Sequence, residues 1–386
     1  MSHSRCAVIG IGQTKHASKR DDLSIVGLVR EAALRALEDA GLTFADIDAV
    51  VIGKAPDMFE GVMMPELFLA DALGAVGKPM MRVHTAGSVG GSTAIVAAHL
   101  VHAGVHERVL TVAFEKQSES DAMLALSPAY PFQPPLLAGA GGYFAPIVRS
   151  YIRRADAPNE VGMMVAVKDR LNALKNPYAH LHMPEISLEA VKASPMLWDP
   201  IRYLETCPSS DGACAMVLAG ETAAKRAPHK PAWVHGTAMR SEPNMFAGRD
   251  QVSPRAGIDC AKALYAKAGI TDPKKQIDVA ELYVPFSWFE PMWLENLGFA
   301  ERDKGWRMTL SGDTALNGSM PVNASGGVLS SNPIGASGML RFAEAALQVR
   351  GRAGAHQVEG ARVAMGHAYG GGSQFFSMWI VGSDRP

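Results

Sequence analysis

Along the first sixty residues the hydrophobic positions change period twice. Ala7-Val8-Ile9-Gly10-Ile11 is an unbroken apolar run containing glycine, the pattern of a strand covered on both faces. Ile25, Leu28, Val29, Ala32, Ala33, Ala36 and Leu37 then recur at intervals of three and four. That spacing predicts a helix, with Ser24 as its cap and Gly41 as its stop. A second apolar run covers 49–52. Strand, helix and strand in this order predict an α/β fold around a parallel or mixed sheet.

The pattern occurs again later in the chain. Ala40-Gly41-Leu42 leads through Asp46-Ile47-Asp48 into 49–52, and Ala268-Gly269-Ile270 leads through Gln276-Ile277-Asp278 into 279–283. A glycine turn and apolar helix over 90–104 precede Arg108-Val109-Leu110-Thr111-Val112, and 335–351 precede Arg362-Val363-Ala364-Met365 in the same way. The offsets, roughly 230 and 254 residues, suggest a duplicated βαβ-type half. The expected division is an N-terminal half over 1–225 and a C-terminal half over 226–386. Between 117 and 205 the pattern breaks, with Pro128, Pro131, Pro134-Pro135 and glycines at 139–142. This stretch is expected to form a loop or lid domain inserted in the first half, with helices near 143–154 and 159–175.

Composition removes whole classes of function. With 48% hydrophobic and 19% charged residues, the 386-residue chain can bury a large interior and is not a disordered one. A formal charge of −1, without a basic block, argues against nucleic acid or an anionic membrane as partner. No run approaches the ~20 apolar residues of a membrane span, and MSHSRCAVIGIGQTK lacks the apolar core of a secretory signal. A soluble cytoplasmic protein is expected. Cys6, Cys207, Cys214 and Cys260 form no CxxC pair, so reduced thiols are expected rather than a zinc site or a disulfide framework.

Five glycine-rich stretches are candidate chemistry: 86–92, 210–213, 323–327, 332–338 and 367–372. None follows GxGxxG or GxxxxGK[ST], which weakens nicotinamide and nucleotide readings. Turns of this kind between strand and helix present backbone N–H groups that can hold an oxyanion or a thioester carbonyl. Other groups lean towards structure. Trp288, Phe289, Met292, Trp293 and Leu297 have the spacing of a core or interface helix. His180 and His182 lack accompanying metal ligands and are expected on a surface loop, so no metal site is expected. Glu115 and Glu119 are expected as a solvated or subunit-facing pair.

The glycine stretches also carry a family resemblance. Asp211-Gly212-Ala213, followed by an apolar strand, is similar to the SDGAAA segment of the thiolase superfamily. Val322-Asn323-Ala324-Ser325-Gly326-Gly327 and then Asn332-Pro333-Ile334-Gly335-Ala336-Ser337-Gly338 resemble its NxSGG…GHPxGATG signature. The chain resembles this superfamily over nearly its full length, and within it the sterol-carrier-protein thiolase and lipid-transfer branch. The resemblance implies two βαβαβαββ halves stacked as α-β-α-β-α layers, a loop domain over the site and a homodimer. The apolar strand at 109–114 is the expected place for the sheets of two copies to meet.

The departures from that family are informative. Where a thiolase carries its nucleophilic cysteine, the matching stretch is Thr85-Ala86-Gly87-Ser88-Val89-Gly90. Asn332 replaces the activating histidine, Ala368 stands at the second cysteine, and Tyr283 aligns with the asparagine of the NEAF segment. A serine needs an adjacent base, so Ser88 is expected to be a turn residue rather than a nucleophile. Residues 84–93, 281–293 and 367–376 resemble a subgroup of steroid side-chain aldolases, which cut a β-hydroxyacyl-CoA by retro-aldol cleavage beside a small OB-fold and zinc-ribbon partner. That resemblance implies a coenzyme A thioester substrate and no cofactor bound by this chain. It makes Tyr369, Tyr283 and His367 the candidate catalytic groups. Gly87, Ser88, Asn332, Gly335 and Gly371 are candidates for holding the thioester and its oxyanion. A degenerate acyltransferase using Ser88 and a non-catalytic lipid or acyl-CoA binder remain as alternatives.

Overall fold

In the computed structural model, residues 4–55, 57–121, 139–243 and 248–386 are described. The prolines at 128–135 lie outside them. The strands are β1 (Cys6–Gln13), β2 (Ala49–Lys54), β3 (Met80–Val83), β4 (Arg108–Lys116), β5 (Met196–Trp198), β6 (Ile201–Arg202), β7 (Asp211–Gly220), β8 (Ala232–Ser241), β9 (Val279–Glu281), β10 (Val363–Gly370) and β11 (Phe375–Gly382). The longer helices are α1 (Ile25–Ala40), α2 (Val89–His102), α3 (Gly139–Ala155), α4 (Glu160–Ala173), α5 (Arg255–Ala268), α6 (Phe289–Asn296) and α7 (Ile334–Arg350).

The order β2-β4-β7-β1 is repeated as β9-β10-β11-β8. Directions repeat as well: the first pair of each set is parallel and the next two pairs are antiparallel. On the outer side of β2 lies β3, which is parallel to it; in the second set this place is reduced to a single parallel bridge between Ala280 and Val322. The two sets join along one short seam, where Ala7 pairs with Trp233 and Val8 with Ala232. Helix α1 packs on β1 and β7, α5 packs on β8 and β11, and α2 and α7 pack on each other between the two sheets. The layers therefore run helix, sheet, helices, sheet, helix, a thiolase-like α/β architecture.

Local signals explain the outer helices. The Ser24 hydroxyl accepts from the Gly27 N–H at 3.2 Å, and Gly41 ends α1 in the left-handed region at φ +66°. The apolar stripe of α1, Leu28 to Ala40, is the buried face. Helix α7 is different, since it is buried on nearly every side between two sheets. Its polar residues must find partners there. Arg341 pairs with Glu281, Glu344 meets His356 at 2.8 Å and Gln13 at 2.7 Å, and Arg350 meets Asp39 at 2.7 Å.

Two expectations about charged and apolar surface are corrected. Strand β4 lies between β2 and β7 and is almost wholly buried, so it cannot meet a second copy; the open edge is β3. Glu115 is fully buried rather than solvated, and it faces Lys54 at 3.2 Å. The inserted segment forms α3, α4 and the β5–β6 hairpin. Arg170 and Asn172 of α4, and Asn176 just beyond it, donate to the carbonyls of Leu329, Asn323 and Ser325, which fastens the insertion to the 323–330 turn.

Helices α2 and α7 touch through glycine backbone at their N-terminal turns. A Cβ on Gly90 would lie 2.4 Å from the Met339 nitrogen, and one on Gly338 would lie 2.8 Å from the Gly91 nitrogen. Gly90→Ala must push the two helices apart and is expected to lower stability by about 1–3 kcal/mol, the usual cost of overpacking. Chemical denaturation would show this as a reduced midpoint, and an unchanged midpoint would contradict the close crossing.

Candidate functional site

The candidate catalytic residues converge at one end of the second sheet. His367 and Tyr369 are two apart on β10 and share a face. Strand β9 pairs Glu281 with Gly366, so the chain leaving it carries Tyr283 beside them. The Tyr283 N–H donates to His367 Nδ1 at 3.3 Å. The Tyr283 and Tyr369 rings meet edge to face with centroids 5.2 Å apart, and His367 stacks on Tyr369 at 6.4 Å.

Aromatic residues enclose the pair. Trp293, Phe289, Phe376 and Phe144 have ring centroids 5.1, 5.7, 6.2 and 6.5 Å from that of Tyr369. Trp293 Nε1 also donates to the Tyr283 carbonyl at 2.9 Å. Helix α6, read from sequence as core or interface, is thus one wall of the site. Both phenols are nearly inaccessible, at 4% for Tyr283 and 3% for Tyr369. Burial raises the pKa of each above the ordinary tyrosine value, and the nearby Cys207 and Tyr283 push Tyr369 further the same way. Both are therefore neutral donors at physiological pH.

His367 is also neutral. Burial lowers its pKa to about 3, and its Nδ1 already accepts from Tyr283. It can hold the Tyr283 backbone and stack against Tyr369, but it carries no positive charge that would ease phenol ionisation.

Asn332 is fixed at each of its polar groups. Its Oδ1 accepts from the Tyr283 hydroxyl at 3.4 Å and from Ser337 at 2.7 Å, and its Nδ2 donates to Cys207 Sγ at 3.2 Å. Its backbone N–H donates to Ser210 Oγ at 3.1 Å, and Gln117 donates to its carbonyl. Ser210 in turn contacts His180 Nδ1 at 2.9 Å. His180 is half-buried behind the site rather than on a free surface loop, whereas His182 contacts the Asn176 carbonyl.

The glycine and serine candidates divide into two groups. The Ser88 hydroxyl lies 2.8 Å from the Thr85 carbonyl and 2.9 Å from Thr85 Oγ1, inside its own turn. Thr85 continues through Ser92 to Ser377, each step 2.7 Å. Gly87 and Ser88 press on the backbone after Tyr369: a Cβ on Gly370 would lie 2.4 Å from the Gly87 nitrogen. Gly371 starts a left-handed turn directly beyond. Gly335 serves a different contact, since its added Cβ would strike the Phe114 carbonyl at 2.3 Å. That is a close approach of α7 to β4. The N-terminal turns of α2 and α7 begin at Ser88 and Pro333, and their partial positive ends favour developing negative charge nearby.

Cys207, Ser210 and Ser337 were not singled out from sequence. Their signal was position: Cys207 and Ser210 precede Asp211-Gly212, and Ser337 lies within the stretch that begins at Asn332. Among the described residues no cluster of three histidine, cysteine or carboxylate side chains could hold a metal, and no helix is long and apolar enough to cross a membrane.

This fold defines a protein of the thiolase class. Residues 238–383 match the family model for thiolase C-terminal domain-like sequences. An acetyl-CoA acetyltransferase of Methanothermobacter thermautotrophicus is 33% identical over 95% of this chain and 96% of the relative. Human sterol carrier protein 2 is 29% identical over 98% of this chain and 72% of its own length. Among solved structures, the Ltp2-ChsH2(DUF35) aldolase is 27% identical, with a TM-score of 0.86 over 100% of this chain and 99% of that one. The chain belongs to the thiolase superfamily, in its lipid-transfer and aldolase branch.

The surroundings of Cys207 make a chemical prediction. Burial pushes its thiol up to about 12, which leaves about 10⁻⁴ of it as thiolate at pH 8. Alkylation by iodoacetamide in the native protein is expected to be at least ~10²-fold slower than for a free cysteine. Rapid labelling, read on the peptide containing Cys207, would show an activated thiol instead.

Proposed function

We propose that this protein is a carbon–carbon lyase that cleaves a β-hydroxyacyl-CoA by retro-aldol chemistry, without a covalent enzyme intermediate. The observation that carries the reading is the pair of buried phenols, Tyr283 and Tyr369, 5.2 Å apart, with serine, asparagine and alanine at the positions that the resemblance aligns with the thiolase cysteines and histidine. Likeness to the Ltp2-ChsH2(DUF35) aldolase over the full chain supports it. The aromatic walls suit a bulky, steroid-like side chain. The partner proposed is a small OB-fold and zinc-ribbon protein, and the proposed location is the cytoplasm.

Retro-aldol cleavage transfers one proton. The β-hydroxyl loses it as the Cα–Cβ bond breaks, the thioester oxygen carries the enolate charge, and Cα gains a proton. A phenol that gives its proton to Cα while receiving the hydroxyl proton ends the cycle unchanged. No stable phenolate is required, which agrees with the raised pKa of both tyrosines. In this scheme Tyr369 moves the proton. Tyr283 turns its single hydroxyl proton from Asn332 Oδ1 to the enolate oxygen, beside the Gly87 and Gly371 turns.

The acetyl-CoA acetyltransferase relative favours a second reading, acyl transfer through Ser88. Against it, the Ser88 hydroxyl bonds within its own turn, to the Thr85 carbonyl and hydroxyl. The sterol carrier relatives suit a third reading, lipid or acyl-CoA binding without turnover.

A panel of β-hydroxyacyl-CoAs, with and without the small partner and with released ketone or aldehyde read by mass spectrometry, separates these readings. Tyr369→Phe is expected to lower kcat by roughly 10²–10⁴-fold with little change in acyl-CoA affinity; near-normal turnover would remove Tyr369 from the mechanism. An acyl adduct on Ser88 would favour the acyltransferase. Neither phenol should titrate below its ordinary value near 10, and His367 at about 3 is already neutral. The kcat profile should then be flat from about pH 6 to 9. An ascending limb near pH 7 would assign the proton to another group.

Assembly as a homodimer is proposed through the β3 edge, since Met63, Met64, Leu67 and Phe68 near it are 67%, 56%, 70% and 62% exposed. Sedimentation is expected to give a dimer for the native chain and a monomer for Phe68→Asp. A monomeric native chain would overturn this arrangement.

A further inference from the structure

Directly after Tyr369 and Gly370 the backbone does something uncommon. Gly371, Gly372 and Ser373 are left-handed in succession, with φ of +60°, +62° and +63°. For Ser373 this conformation is strained, because a Cβ in the left-handed region crowds its own carbonyl. Its hydroxyl is also buried and meets no hydrogen-bond partner among the described residues. Nothing in the serine side chain explains the turn, so its support must come from elsewhere.

That support is Arg249. Its Nη1 donates to the Ser373 carbonyl at 2.9 Å and its Nη2 donates to the Gly372 carbonyl. The guanidinium is 8% exposed and pairs at 3.2 Å with Glu242, which is 5% exposed. Glu242 is anchored in turn: its Oε1 accepts from the Ala256 N–H in the first turn of α5, and its backbone exchanges hydrogen bonds with Gln374. A continuous strut therefore runs from the start of α5 through Glu242 and Arg249 to two successive carbonyls of the strained turn. A planar guanidinium can hold two acceptors in fixed geometry, which a single ammonium cannot match.

We propose that Arg249, braced by Glu242, is a positioning residue that sets the turn at 371–373 and through it the placement of Tyr369 and the neighbouring backbone N–H groups. This rests on the retro-aldol reading of Tyr369, but the strut has a readout of its own. With a substrate cleaved by the native enzyme, Arg249→Met is expected to lower kcat by about 10–10²-fold, as small misplacements of reacting groups do. KM should stay within about 2-fold. Arg249→Lys should recover part of the loss, and Glu242→Gln, which keeps an acceptor for α5 but removes the charge, should show a smaller loss of the same kind. Amide hydrogen exchange over 370–375 is measured in parallel and is expected to quicken by about 10-fold or more in Arg249→Met. Unchanged exchange there, or unchanged kcat in a folded Arg249→Met, overturns the strut. If the native enzyme cleaves no member of the panel, the aldolase reading fails and the exchange result alone decides the role of Arg249. If Arg249→Met does not fold, Glu242→Gln and Arg249→Lys carry the same two measurements.

Discussion

The structure depends on one close contact, the meeting of two central helices through glycine backbone. Gly90 and Gly91 in α2 face Gly335 and Gly338 in α7, with no room for a Cβ on Gly90 or Gly338. Because the contact lies in the first turns, it brings two helix N-termini to the same end of the molecule. The Ser88 turn and Asn332 are what those N-termini carry. Both sheets then pack against this pair, and β10 delivers Tyr369 beside it. A wider spacing would separate the anion-favouring helix ends from the phenols.

The second constraint is desolvation. Six aromatic side chains and a neutral histidine surround a site whose substrate would carry a thioester. Such a site strengthens every dipole aimed into it and penalises charge that is not held. At Asn332 every polar group is paired, whereas His367 Nε2 and the Ser373 hydroxyl meet no partner among the described residues. Asn332 has partners for its amide oxygen, amide nitrogen, backbone N–H and carbonyl. Asn332 is no base; it is an amide whose orientation is dictated by Ser337 and Cys207. The phenols stay protonated because burial penalises their charged form, so the site presents hydrogen-bond donors rather than preformed anions.

The inserted segment joins the two repeated halves to this site. Helix α4 and the turn after it contact the 323–330 turn through three side-chain amide or guanidinium donors, and Phe144 of α3 reaches Tyr369. Side chains from both halves and from the insertion therefore meet at the phenols, and no one of these segments contains the complete site.

Much of this was legible from residue pattern. Period and capping marked α1, and the echo of 40–52 in 268–283 marked the repeat, because both depend on local spacing and on burial of one face. The glycine stretches marked the crossing helices, and Tyr283 and Tyr369 could be named from the motifs around them. Three things required the tertiary structure. The apolar run of β4 looked like an interface strand, but an interior strand and an interface strand bury the same side chains, and only pairing order distinguishes them. His180 and Cys207 could not be given a role from local pattern, because their partners Ser210 and Asn332 lie 30 and 125 residues away. The charge state of His367 was decided by burial among rings drawn from three separate segments. Local spacing specifies which elements form and which faces are apolar; pairing order, electrostatic environment and the partners of buried polar groups arise only when distant segments meet.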